Sequence, residues 1–136
     1  MATGEVNDDA NLARGFWEEV AKHFPAWVQV RENRLPASEV REGYIHSHGI
    51  ALQAIGKAGN TLLRKHPKDW QKQLGALATI DWSRNNAKLW EGRALIAGKV
   101  SKVTTNVTLT TNVIKKALAL PLDEEQQRAE SAHLRK

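Results

Sequence analysis

The 136-residue chain contains no cysteine. That excludes disulfide staples, thiol catalysis, Fe–S clusters and cysteine-type zinc sites. It also suits a cytosolic protein. Aromatic residues are sparse, with two phenylalanines and one tyrosine beside five tryptophans. Long hydrophobic runs are missing. The apolar stretch 49–56 is interrupted by Gln53 and is far shorter than the ~18 residues that span a bilayer. Residues 1–9 are acidic and have no apolar centre, so neither a signal peptide nor a membrane anchor is expected. The chain has no Gly-x-Ser-x-Gly elbow, no Walker-A loop and no dinucleotide glycine pattern. No internal repeat appears.

What is present fits one globular domain. Hydrophobic residues make up 41% of the chain and charged residues 26%, an ordinary soluble composition. Residues 1–7 read as a flexible N-terminus and 8–136 as one helical domain. The formal charge of +5 is unevenly spread. Residues 1–40 hold 4 basic and 7 acidic groups, 41–120 hold 13 and 4, and 121–136 hold 3 and 4. Attraction to phosphate is therefore concentrated in the middle of the chain.

Periodicity predicts an all-α fold. Ala13, Phe16, Trp17, Val20 and Phe24 form one face of a first helix, with Asp8 or Asp9 as its cap and Pro25 as its stop. Trp27, Val28 and Val30 read as an apolar link. A long central helix is expected over 38–64, opened by Ser38. Its stripe is Ile45, His48, Leu52, Ile55, Gly59 and Leu62, and Gly43 or Gly49 is a place for a kink. Pro67 opens a third helix, with Trp70, Leu74 and Leu77 on its buried side. Residues 80–102 read as an irregular basic loop region containing a short helix near 86–91. Residues 103–110 fit a strand or a helix, and the helical ending Ile-Lys-Lys-Ala-Leu favours a helix from Thr105. Pro121 stops it, and a last helix follows Asp123.

Few constellations carry chemistry. His46 and His48 point roughly 200° apart on a helix, so they cannot share one ion. No metal, cofactor or catalytic site is expected, and Ser47 and the scattered carboxylates Glu42, Asp69, Asp81 and Glu91 form none. Trp17 and Trp70 read as core, and Trp82 and Trp90 as packing within the irregular region. A helix-turn-helix over 109–136 would aim Asp123, Glu124 and Glu125 at phosphates, which is electrostatically wrong. The informative cluster is polar and basic: Arg84, Asn85, Asn86, Lys88, Arg93, Lys99, Lys102, Asn106, Lys115 and Lys116. Lys and Arg neutralise phosphates, and Asn and Arg also read base edges. This cluster is the expected nucleic-acid contact. The rival reading is a protein-interaction or oligomerisation surface along Gly49, Gly56 and Gly59 with Ile45, Leu52 and Ile55.

Several runs occur together in a telling order. They are Tyr-Ile-His-Ser-His-Gly-Ile-Ala-Leu-Gln-Ala-Ile-Gly at 44–56, Ile-Asp-Trp-Ser-Arg-Asn-Asn at 80–86 and Trp-Glu-Gly-Arg-Ala at 90–94. Lys-Val-Ser-Lys at 99–102, Asn-Val-Thr-Leu-Thr at 106–110 and Leu-Pro-Leu at 120–122 follow. Over roughly 10–130 the chain resembles the C-terminal part of the DndB family, the DNA sulfur modification-associated proteins with a DGQHR domain. The resemblance implies a bacterial, cytosolic, non-enzymatic protein. It implies a role in DNA phosphorothioation as a regulator that binds DNA near the modification genes, with other proteins of that system as further partners. The Asp-Gly-Gln-His-Arg motif is absent here, so the resemblance is to a C-terminal half alone.

Overall fold

The computed structural model describes residues 2–135. The fold is mainly α-helical, as the periodicity predicts. Helix α1 (Ala2–Lys22) is followed by α2 (Pro25–Arg31), α3 (Ala37–Gly43) and α4 (Gly49–Lys65). A short α5 (Trp70–Gln73) runs into a 3-10 turn at Leu74–Thr79, and α6 is Ala87–Trp90. A two-residue hairpin, β1 (Leu95–Ile96) and β2 (Lys99–Val100), precedes α7 (Thr104–Ala117) and α8 (Glu124–Leu134).

Several boundaries depart from the sequence reading. Helix α1 begins at Ala2, so Asp8 and Asp9 lie within it rather than capping its start. Pro25 does end α1, but it also opens α2, since proline at the first helical position forfeits no hydrogen bond. Trp27, Val28 and Val30 therefore lie on a helix rather than a link. The central helix is broken. Tyr44 is extended, with φ −136 and ψ 155, and α4 restarts only at Gly49. Ile45 and His48 thus precede the helix on whose stripe they were placed. Pro36, not Ser38, caps α3, with no side-chain cap bond. Residues 103–110 resolve in favour of the helix. The hairpin at 95–100 had no periodic signal.

The core forms where α4 lies along α7, the most extensive helix contact among the described residues. Ile50, Ala51, Ala54, Ile55, Ala58 and Leu62 of α4 are buried there, as are Val107, Ile114 and Leu118. The other flank of α4 receives α1. Phe16 lies against Gly59, and Trp17 against Gly56. Ile45 and Ile55 are fully buried. The small-residue line expected to pair between chains is thus filled largely from within the chain. Trp17 is nevertheless partly exposed, contrary to its expected core position, whereas Trp70, Trp82 and Trp90 are buried.

Helix α7 has a second, polar side. Thr110, Thr111 and Asn112 are fully buried. The two threonine hydroxyls donate to the carbonyls of Asn106 and Val107, each at 2.8 Å. Helix α8 packs there. It is opened by a capping box, in which Asp123 accepts from Gln126 N and the Gln126 side chain accepts from Asp123 N.

The two glycines give opposed predictions. A Cβ on Gly59 would stand 2.2 Å from Phe16 Cζ. Gly59→Ala should cost about 1–3 kcal/mol by overpacking. At Gly56 the nearest atom is Trp17 Cζ2 at 3.8 Å. Gly56→Ala should be neutral or stabilising by up to about 1 kcal/mol, through helix propensity. Urea melts of the two variants check the pair.

Candidate nucleic-acid interface

The loop between α3 and α4 is pinned to the loop before α6. Ile45 N donates to Trp82 O at 2.8 Å, and Arg84 N donates to Gly43 O at 2.9 Å. Tyr44 and Ser83 form an antiparallel bridge. The carbonyl of Arg41, in the last turn of α3, is a junction. It accepts from His48 Nε2 at 2.6 Å and from Arg84 Nη1 at 3.4 Å. Arg84 Nη2 reaches on to Gly98 O at 3.4 Å in the hairpin turn. One guanidinium thereby joins the end of α3 to the β1–β2 turn.

This arrangement gathers cations from distant parts of the chain. Lys99 follows Gly98 and is exposed. Lys102 and Arg41 both line an open cavity of about 440 Å³, with His48, Ile50, Gln53 and Val100. No carboxylate lines it. Asn85 and Lys88 are exposed on the adjoining loop and α6. The carboxamide of Asn85 accepts from Ser83 Oγ at 2.7 Å. Asn86 is half-buried and donates to Asp81 O, which holds the turn. Asn85, Lys88, Lys99 and Lys102 therefore lie on the outside, whereas Arg84 and Asn86 are half-buried and spent partly on backbone carbonyls.

The other four residues of the basic cluster serve the interior. Arg93 is only 8% exposed. Its Nη1 and Nη2 donate to the two Glu130 carboxylate oxygens at 2.8 and 2.7 Å, and Nη1 also donates to Leu109 O. Lys116 Nζ donates to the same carboxylate at 2.9 Å, and Asn112 donates to it at 3.1 Å. Lys115 is buried and donates to Gln126 Oε1; burial lowers its pKa. Asn106 is buried between Gly92 O and Ser101 Oγ. Lysine and arginine in a sequence look alike whether they meet solvent or a buried acid. Glu130 is the missing partner that sequence reading passed over.

Sequence reading also missed Arg41 and Tyr44. Tyr44 is 41% exposed. Its ring lies parallel to His46, with centroids 4.9 Å apart. His46 is 4% exposed and accepts at Nδ1 from Trp27 Nε1 at 3.1 Å, which places its proton on Nε2. Burial, helped by the nearby His48, lowers its pKa to about 4. His48 is tied to Arg41 O. Among the described residues no group of three acidic or histidine side chains is placed to hold a metal. Trp82 and Trp90 stack on each other at 5.3 Å. Their indole nitrogens donate to Leu77 O and Asp81 O, so they brace the loop from inside.

A mainly helical domain belongs to no single functional class by fold alone. The family model described as DndB, DNA-sulfur modification-associated, matches residues 1–121. The chain belongs to the DndB family. No curated protein and no solved structure matches it. Among the described residues no helix is long and apolar enough to cross a membrane.

Removing Glu130 leaves Arg93 buried without its counter-ion. Glu130→Gln should cost about 3–5 kcal/mol, read as a lower urea midpoint with an unchanged slope. The two depressed pKa values give separate pH windows. Unfolded histidine protonates near 6.5, but folded His46 stays neutral down to about 4. Its contribution to stability is complete above pH 6.5 and fades as pH falls towards 4. Bonds from Arg93, chiefly, hold the Glu130 carboxyl well below the carboxylate range. Its contribution fades only below about pH 4.5. Thermal melts between pH 7 and 4.5 should therefore show a falling limb that His46→Gln flattens.

Proposed function

We propose that the chain is a non-catalytic DNA-binding module of a bacterial DNA phosphorothioation system. It works in the cytoplasm and regulates the modification genes. The contact surface is Arg41, Arg84, Asn85, Lys88, Lys99 and Lys102. The observation that carries this reading is the tying of Arg84 to both Arg41 O and Gly98 O. It supports the reading by joining segments that are far apart in sequence and that carry Arg41, Arg84 and Lys99. Membership of a family associated with DNA sulfur modification supplies the polyanion.

The chemistry of such a face is mainly counterion release. Each phosphate neutralised by a lysine or arginine steepens the fall of affinity with salt. Asn85 and Arg84 have the donor geometry that reads base edges. Arg93, Asn106, Lys115 and Lys116 hold the scaffold behind the face and take no direct part. Other proteins of the same system are the further partners this reading allows.

A salt titration of duplex binding tests it. Fluorescence anisotropy should show affinity that falls steeply from low to physiological salt. Arg41→Ala and Lys102→Ala should each reduce the slope by about 1, whereas Lys72→Ala on α5 should leave it unchanged. Absence of binding at low salt, or equal slopes in all three variants, would overturn the reading.

A further inference from the structure

We propose that Tyr44 is a stacking platform for one unpaired nucleobase, so that this surface takes DNA that is single-stranded or locally opened. The inference rests on the DNA-binding reading and deepens it. Phe24, His46 and Trp82 are all buried, and Tyr44 forms the exposed end of their cluster. Its ring is parallel to the His46 imidazole within 7°. His46 lies 4.7 Å from Phe24 by ring centroid and is fastened by Trp27. Tyr44 thus stacks on His46, which is backed by the tilted Phe24 ring. The Tyr44 backbone is fixed too, by its bridge to Ser83.

A lone exposed aromatic is ordinary on a protein surface. Two features set Tyr44 apart. Its plane is set in advance by a rigid ring beneath it, so little ordering remains to be done on binding. It is also close to a cation along the chain, since Arg84 follows its bridge partner Ser83 and reaches Arg41 O, three residues before Tyr44. Cations can hold a backbone while the ring meets a base. In a duplex both faces of a base are covered by its neighbours. A single ring can stack only on a base that is unpaired, terminal or extruded. The surface therefore favours opened DNA over uninterrupted duplex.

The test uses the full chain and three labelled DNAs of one sequence: a duplex, the duplex with one bulged 2-aminopurine, and the single strand. The native chain should bind the bulged and single-stranded probes more tightly than the duplex, and should quench the 2-aminopurine. Tyr44→Ala should lose about tenfold on those two probes, lose nothing on the duplex, and fail to quench. Tyr44→Phe keeps the ring and should behave as the native chain. Melting curves confirm that the variants are folded. If Tyr44 only covers His46, Tyr44→Ala will alter the melting temperature without changing the ranking of probes, and the inference fails. A Tyr44→Ala loss that is equal on all three probes also overturns it. Should no probe bind, the DNA-binding reading itself fails. Salt-sensitive duplex binding with no dependence on Tyr44 defeats the stacking inference alone.

Discussion

Residues 43–45 and 82–84 hold each other in extended form through two backbone hydrogen bonds, Ile45 N to Trp82 O and Arg84 N to Gly43 O. Tyr44 and Arg84 are positioned by this short pairing. It breaks what would otherwise be one continuous helix from α3 into α4. The break leaves Ile45 on one side of the extended chain and Tyr44 and His46 together on the other, where Tyr44 stacks over the buried His46. It carries Arg84 to the end of α3, and from there to the hairpin. The pairing is in turn braced from below, because Trp82 and Trp90 stack and both donate to backbone carbonyls. A tryptophan pair in a basic loop acts here as scaffold, and it frees the neighbouring side chains to face solvent.

The charges divide by a simple physical rule. A cation near a buried carboxylate is drawn inward, and one without such a partner stays in water. Arg93 satisfies both Glu130 oxygens in a fork geometry, the arrangement in which arginine is hard to replace. Lys116 adds a second cation from α7 to the same carboxylate, with its own side chain still 54% exposed. The result fastens α8 to α7. A buried pair of this kind is worth less for net stability than for fixing which way α8 faces. The acidic α8 thus functions as a clamp on the scaffold, in keeping with the electrostatic objection to its acting as a recognition helix.

The sequence made the helices legible where burial is one-sided. Alternating three- and four-residue steps mark α4, and the Asp123 cap with Gln126 marks α8. They fail where a long-range pairing overrides local preference. Gly43 and Gly49 mark where the helix breaks, but nothing near Tyr44 announces that residues some forty positions on will hold it extended. The hairpin at 95–100 is too short to show alternation, and its turn relies on Ala97 and Gly98 at positive φ, with Glu91 accepting from both amides. The site was half legible for a related reason. Charge density singled out residues 84–116, a segment whose cations the structure divides between surface and interior. It could not separate Arg93 from Lys99, because that depends on Glu130, 37 residues further along.

The same bonds explain why a modest net charge of +5 can yield a directed field. Two carboxylates near these cations accept short hydrogen bonds, while Glu42, next to Arg41, stays exposed. Glu91 takes the hairpin amides, and Asp81 accepts from Ser83 N. Glu130 is neutralised inside. Among the described residues Arg41, Arg84, Lys88, Lys99 and Lys102 form no ion pair with any acid. A paired charge is nearly invisible beyond a Debye length of about 8 Å, whereas unpaired cations held by one rigid loop act together within that range. The field a partner meets is therefore set by which acids are tied down and not by the total. In this chain Glu91 and Asp81 are held by backbone amides and Glu130 by Arg93 and Lys116.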